Sequence, residues 1–412
     1  MWIKRFDWIL MTVVFLLTLF GVLMIYSADR IQTTRATGVI YYQRQLIWLV
    51  LALFGLLLVS AINTRTLEAG SYMAYGLAII ALAALLVTGG KGVERWLSIP
   101  GTNINLQPAE LAKITTILAF ATYISNRKKR IDTLKDLIIP ILIVMLPASL
   151  ILLQPDLGTS IVFFFILYGM LYWAGIPLIY LFLLISPIIS FFLALITLLG
   201  QMRLPLWGLF FIFLCILIFY NRTYLMDAVI FTLANLFTGI LTSPLWNSLK
   251  PYQQNRILVF FQPERDPQGS GWQIIQSKVA IGSGGLFGKG YLEGTQKNLA
   301  FIPAQHTDFI FPLVGEEFGF LGVAISLILF LFLLERIVEL ARISVNSFSS
   351  LVAFGIASFL FGHIIINVGM TVGVMPITGL PLPLFSYGGS FLLTCYLAVG
   401  ILQRIHIERS SI

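Results

Sequence analysis

A carboxylate able to act as a general base stands at Asp308, within the stretch FIPAQHTDFIFPLVGEEFG over 301–319. His306 and Thr307 precede it, and an apolar run that continues to Leu334 follows. An ionisable group at the mouth of such a run is costly without a purpose, although Thr307 or Asp308 would also cap a helix beginning at Phe309. On that helix Glu316 falls about 80° and Glu317 about 180° around from Asp308. The three therefore do not form one tight acidic site. This argues against a dicarboxylate metal centre or a paired acid and base, and leaves Asp308 as a lone outward carboxylate.

Four further stretches carry chemistry. In QPAELAK at 107–113, Glu110 and Lys113 are three residues apart and share a helix face. Lys113 lies roughly 9 Å into its run, a depth at which a charged pair must face the bundle interior or a water-filled cavity. Packing pair and ligand site are both open at this point. In QPDLGTS at 154–160, Asp156 reads as a helix cap. The glycine-rich stretch 281–290 would let backbone N–H groups approach a phosphate, with Lys289 as a point charge, but a flexible loop also uses glycine. It lacks the G-x-x-x-x-G-K-[ST] pattern of nucleotide sites. Finally, prolines and glycines over 379–390, around Ser386, interrupt the helical pattern. Backbone freed at membrane depth needs protein or a polar cavity to satisfy it. His363 and Asn367 share a face of the preceding run. His363 is expected to find a local hydrogen-bond partner and is not counted in the site.

The elements that must position these groups follow from composition. Of 412 residues, 58% are hydrophobic and 11% charged, with mean hydropathy +0.93, far from a soluble domain. The apolar runs are long and non-alternating, so they are helices and not barrel strands. Spans are expected near 8–27, 45–62, 70–88, 107–125, 136–153, 157–175, 177–199, 205–220, 224–242, 309–334, 350–373 and 385–403. The first is read as an uncleaved span. With the N-terminus inside, Arg65, the cluster at 127–130, Lys135, Arg336, Arg342, Arg404 and Arg409 fall on the cytoplasmic side, as the positive-inside rule requires. The loop 243–307 then lies outside with its own cations, among them Arg256 and Lys289, and earlier outer loops add Arg30, Arg35, Arg44, Lys91 and Arg95. Outward positive charge suits an anionic ligand. Cys215 and Cys395 lie in apolar runs and give no disulfide framework. Nothing supports nucleic-acid binding.

The combination QPAELAK, QPDLGTS, DPQGSGWQIIQSKVAIGSGG at 266–285, QHTDFIFPLVGEE at 305–317 and PITGLPLPLFSYGGS at 376–390 resembles the SEDS family, which includes RodA and FtsW. The 282–296 stretch is nearer the RodA branch. The resemblance implies an all-α polytopic bundle of ten core spans, with 205–242 as a two-helix insertion, all in a single integral membrane domain. It implies a multi-pass enzyme of the bacterial cytoplasmic membrane with its active site on the outer face. The implied activity is a peptidoglycan glycosyltransferase that polymerises lipid II for cell-wall elongation and cell shape, partnered by a class B penicillin-binding protein. The family's essential aspartate falls on Asp308, its membrane-facing acid and lysine on Glu110 and Lys113, and its Arg-Trp pair on Arg95 and Trp96. Where relatives often carry Glu, this chain has Ala304, so no role is assigned to a carboxylate there.

The mechanism this implies uses a donor sugar already activated by a polyprenyl diphosphate. Inversion in one displacement needs one base, Asp308, on the acceptor hydroxyl, unlike the carboxylate pair of glycoside hydrolases. Lys113, Arg95, Arg256 and Lys289 are the candidate cations for the leaving diphosphate, and His306 and Ser386 complete the candidate substrate-binding set. No cofactor is assigned beyond the option of a divalent cation such as magnesium or manganese, with its ligands unassigned. A lipid II flippase is the alternative, and a scaffold for the penicillin-binding partner a third reading.

Overall fold

A computed structural model describes residues 5–32, 40–88, 95–98, 105–127, 133–200, 205–221, 223–251, 254, 258–259, 262, 270–298 and 305–409. Among the described residues twelve long helices form the bundle. They are α1 (Trp8–Gln32), α2 (Tyr41–Ala61), α3 (Thr64–Thr88), α4 (Pro108–Ser125), α5 (Leu134–Leu153), α6 (Leu157–Trp173), α7 (Leu178–Leu198), α8 (Leu206–Tyr220), α9 (Leu225–Ser248), α12 (Ile310–Arg342), α13 (Ser347–Val372) and α14 (Gly389–Arg409). Two shorter helices, α10 (Ser270–Ser283) and α11 (Thr295–Asn298), lie between α9 and α12. Nine of the twelve are long and apolar enough to cross a membrane. Of the other three, α6 and α8 have 17 and 15 residues, and α4 carries Glu110 and Lys113 in its first two turns.

Each expected span has its helix, with edges displaced for identifiable reasons. Helix α12 runs past Leu334 to Arg342 because its polar extension is held: Arg336 Nε donates to the buried Asp7 at 2.7 Å. Helix α13 starts early, at Ser347, where Asn346 caps it by accepting from Ser349 N at 2.7 Å. Helix α14 starts late because residues 383–385 form a turn. The expected polar loop 243–307 is in part helical: α9 reaches Ser248, and α10 packs on α12 and α13. Ser277 Oγ of α10 donates to Thr371 O at 2.5 Å, near the end of α13. The two helices expected as an insertion, α8 and α9, pack on α7 and on each other.

In lipid the hydrophobic effect does not draw helices together, so close packing and interhelical hydrogen bonds must. Small residues open the α2–α14 seam, where Gly55 faces Leu393 and Leu397 and Gly400 faces the Leu56 backbone. Thr122 Oγ1 bonds Ser71 at 2.8 Å, Tyr396 Oη bonds Thr18 at 3.0 Å, and Asn235 binds Ser186 and Ser190 at 2.8 and 2.6 Å. Such bonds contribute about 0.6 kcal/mol each.

Two interruptions shape one end of the bundle. Helix α12 breaks at Gly319, whose φ is 63°. Into that break fits the glycine-rich loop: Lys289 N and Gly290 N donate to Glu316 O and Glu317 O, while Phe320 N and Leu321 N donate to Gly285 O and Leu286 O. The second interruption runs from Gly373, where φ of 76° ends α13, to Gly389, with neither helix nor strand. It is nevertheless buried at Leu380, Leu382, Leu384, Phe385 and Ser386. The only strand pairing among the described residues, Leu97–Ser98 with Asn105–Leu106, sits between Trp96 and Gln107.

Gly319 tests this packing. A Cβ there would lie 2.3 Å from Gly288 N and 2.7 Å from Leu286 O, on a backbone that L side chains avoid. Gly319→Ala is expected to destabilise by on the order of 3 kcal/mol. Gly76→Ala, with nothing within 4 Å, should be neutral. Thermal unfolding of the detergent-solubilised chain measures both.

Candidate active site

The second interruption holds together because side chains satisfy its backbone. Asn367 Nδ2 donates to Leu380 O at 2.7 Å and to Asp308 O at 2.9 Å. Ser386 Oγ donates to Thr307 O at 2.7 Å and accepts from Leu382 N at 2.8 Å. Gln45 of α2 donates to Ser386 O and accepts from Gly388 N, both at 3.3 Å. Tyr387 N donates to His306 O at 2.8 Å. Residues 305–308 and 380–388 are thus clipped into one unit ahead of α12.

That unit walls a cavity of about 470 Å³. Asp308, Asp156 and Glu110 all line it, together with Arg95, Trp96, Gln107 and Tyr387. Gly379, with φ of 75°, lies against Asp308: a Cβ there would be 3.3 Å from Oδ2. Burial, with some repulsion from Asp156, pushes the Asp308 carboxyl up to about 6, against the opposing hydrogen bond from Thr307. Asp156 caps α6, accepting from Thr159 N at 3.1 Å and Thr159 Oγ1 at 3.0 Å. Arg95 braces the same corner, with Nε donating to Gln154 O at 3.2 Å and Nη2 to Pro155 O at 2.7 Å. Its Nη1 is 3.8 Å from Asp156.

Below the cavity floor Glu110 meets a buried polar chain. Lys113 Nζ lies 2.9 Å from both Glu110 oxygens and 2.9 Å from His363 Nε2. It is fully buried between the rings of Phe359 and Phe391, at 5.3 and 5.4 Å. The charged ammonium can only donate, so Nε2 of His363 accepts. The ring proton then sits on Nδ1 and bonds Pro381 O at 3.1 Å. Helix α4 is thereby tied to the segment beneath Asp308.

Several expectations are corrected. Asp308 is not a lone carboxylate: Asp156 and Glu110 share its cavity, brought there by the starts of α6 and α4, which helical-wheel geometry within α12 does not reach. Asp156 is both cap and cavity wall. Lys113 does not line the cavity and lies behind Glu110. Lys289 does not line it either. It pairs with the buried Glu316 at 2.8 Å, and the Lys289 and Gly290 amides donate to the Glu316 and Glu317 carbonyls of α12. His306 stacks on Tyr41 at 4.0 Å, and burial pushes its ring down to about 4, so it is neutral near pH 7. It does not line the cavity, and neither does Ser386, which is held within the buried segment. Glu317 accepts from Ser27 Oγ at 2.5 Å. Arg256 lies outside the described residues. No three His, Cys, Asp or Glu side chains among the described residues form a group able to hold a metal ion. Sequence reasoning missed Tyr387 and Gln107 as cavity walls, although both lie inside quoted motifs.

Fold and site together define a polytopic helical membrane protein with a polar, acid-walled cavity at one end of its bundle. The chain belongs to the FtsW/RodA/SpoVE family, the SEDS proteins: the model of this family, described as cell cycle protein, matches residues 7–206 and 186–411. The peptidoglycan glycosyltransferase MrdB of Escherichia coli is 33% identical, with 95% of this chain and 92% of that protein covered. The peptidoglycan glycosyltransferase RodA of Treponema pallidum is also 33% identical, over 99% of both. Among solved structures, a chain of a peptidoglycan synthase complex that coordinates polymerization and crosslinking matches with TM-score 0.72 and 30% identity, over 98% of each chain. The Thermus thermophilus rod shape determining protein RodA matches with TM-score 0.62 and 26% identity, over 98% of this chain and 97% of that one.

The raised carboxyl of Asp308 carries a stability cost with a definite pH signature. Both folded and unfolded chains are protonated below the ordinary value of 3.8, so the cost is absent there. It grows as pH rises and is complete above about 6. Asp308→Asn is expected to stabilise the chain by on the order of 2–3 kcal/mol at pH 7.5, with the gain gone near pH 4. Unfolding temperature against pH, parent beside variant, checks this; equal stability at pH 7.5 would contradict the desolvation.

Proposed function

We propose that this chain is a peptidoglycan glycosyltransferase that joins lipid II disaccharides into glycan strands for cell-wall elongation, with Asp308 as the general base. The observation that carries the reading is the Asp308 carboxylate itself. It lines a polar cavity, and burial brings its proton affinity to about 6, close to the value that serves base catalysis near neutral pH. Family membership and the names of the relatives support it.

In this scheme an acceptor sugar hydroxyl enters beside Asp308. Its oxygen forms a bond to the anomeric carbon of the donor as its proton passes to Asp308. The bond from that carbon to the diphosphate breaks, and the diphosphate leaves with the electron pair. Gly379 leaves room against Asp308, and the Asn367 bond to the Asp308 carbonyl fixes the backbone from which the base projects. Glu110 stays the partner of Lys113 and is not a second base. Asp156 is held by Thr159 as a helix cap. A divalent cation such as magnesium or manganese would enter on the substrate's diphosphate.

The Asp308 end is assigned to the outer face of the bacterial cytoplasmic membrane. The opposite end carries Arg65, Arg127, Lys135, Arg336, Arg342, Arg404 and Arg409, the pattern of a cytoplasmic face. The likeness to a chain of a peptidoglycan synthase complex supports a class B penicillin-binding protein as partner.

Purified chain with its partner, given lipid II, should lengthen glycan on a polymer gel. Asp308→Asn should lower polymerisation at least 100-fold, within the usual range for a lost general base, while the protein stays folded. The parent rate should fall with acid, about tenfold per pH unit below about 6, because only the ionised base accepts the proton. Normal polymer from the Asn variant would overturn the assignment. A flippase would move lipid without lengthening glycan, and a scaffold would do neither.

A further inference from the structure

Two bonds between α1 and α12 bracket the membrane. At one end Arg336 Nε donates to Asp7 at 2.7 Å, and at the other Ser27 Oγ donates to Glu317 at 2.5 Å. From Asp7 to Ser27 the α1 backbone rises about 30 Å at 1.5 Å per residue, the thickness of a hydrocarbon core. The run between them is apolar, so the two membrane boundaries fall at these two bonds. Tyr26 and Tyr291, both exposed at the Glu317 end, are the aromatic residues that such a boundary collects. The break in α12 at Gly319 therefore lies just inside the boundary nearer Asp308.

The glycine-rich loop sits at the same level. Leu286 O accepts from Leu321 N, beyond the break, and Tyr291 Oη donates to Leu23 O, one turn of α1 inside Ser27. The tip of the loop nevertheless turns away from the protein: Leu286 is 63% and Phe287 78% exposed. The pair continues the exposed apolar band of the flanking helices, formed by Leu19 and Leu23 of α1 and by Phe320 and Leu321 of α12. Polar groups around the tip are engaged. Gly288 N donates to Gly284 O, Phe320 N donates to Gly285 O, and Lys289, the flanking charge, pairs with the buried Glu316. Lipid requires such pairing of backbone and charge; water does not.

We propose that the loop 285–288 is an interfacial membrane anchor, with Leu286 and Phe287 inserted among the acyl chains of the leaflet at the Asp308 end. Depth and continuity with the lipid-facing band identify acyl chains as the cover for this pair. The anchor also has a load. Through the Lys289 and Gly290 amides, which donate to the Glu316 and Glu317 carbonyls, it pins the part of α12 between Asp308 and Gly319 at the bilayer surface. The segment carrying the Asp308 carboxylate is thereby held at one depth relative to the lipid. This holds whatever reaction the cavity performs.

The test is collision of a nitroxide spin label with oxygen, which concentrates in lipid, and with a water-soluble nickel chelate. The full-length chain, with Cys215→Ser and Cys395→Ala removing its native thiols, is labelled through Leu286→Cys or Phe287→Cys. It is placed in vesicles of phosphatidylethanolamine and phosphatidylglycerol. Phe320→Cys reports the lipid side. Glu293→Cys, on the return of the loop, reports the water side, where an exposed carboxylate belongs. Both tip labels should match Phe320→Cys, with an oxygen-to-nickel collision ratio at least fivefold above that of Glu293→Cys. Two tip positions keep the measurement decisive if one variant does not fold. A tip ratio equal to that of Glu293→Cys would overturn the anchor. So would shielding from nickel that arises only when a penicillin-binding partner is added, which would make the tip a protein-docking surface.

Discussion

Backbone that is not helical cannot lie inside a membrane bundle unless every polar group finds a partner, and the segment from Gly373 to Gly389 is the place where this constraint governs the structure. Its prolines, Pro376, Pro381 and Pro383, prevent it from closing on itself as a helix. Its carbonyls are taken by Asn367 and His363 of α13 and by Gln45 of α2, and with the bonds to the Thr307 and Asp308 carbonyls this joins α13, α2 and the start of α12 around one irregular strap. Leu384 sits there at φ of 63°, a conformation that persists only where the surroundings over-determine it. The strap is what lets a polar cavity exist at the end of an otherwise apolar bundle.

The bundle's two ends are organised by different chemistry. At the end away from the cavity, charges neutralise one another: Asp7 takes Arg336 and caps α1, Gln403 closes on the Asp7 backbone, and Arg404 meets Glu408. These bonds tie α1, α12 and α14 into a closed base. At the cavity end Glu110 pairs with the buried Lys113, Asp156 caps α6 beside Arg95, and Asp308 stands in the cavity wall. Paired charges make the first end a closed base, whereas the second leaves the Asp308 carboxylate lining an open cavity.

How much of this was legible in the sequence divides along the same line. Long apolar runs specify helices with little ambiguity, and all twelve expected spans are helices. The Glu110–Lys113 pair was legible because three residues on a helix fix a shared face, and the salt bridge is there at 2.9 Å. What the sequence did not reveal is which separate elements converge. Asp156 looked like a cap, and it is one, but its place beside Asp308 depends on Arg95 and the strap arriving from distant parts of the chain. Lys289 looked like a phosphate ligand because glycine-rich loops have that capacity. Only the break in α12 at Gly319, and the acceptor Glu316 behind it, reassign that loop to packing. His363 was expected to have a local partner. It has two, the Pro381 carbonyl and the buried Lys113.

The chain of Glu110, Lys113, His363 and the Pro381 carbonyl is electrically closed: one negative charge, one positive, and a neutral ring with its tautomer dictated from both sides. Removing either charged member strands the other in a dry core, at a cost of several kcal/mol, and replacing the ring leaves both an ammonium donor and a carbonyl without their partner. Over evolutionary time such a set drifts with difficulty. Its members can be exchanged only in concert, because each single-step intermediate is unfit, so descendants of this fold are expected to keep the arrangement whole or to abandon it whole.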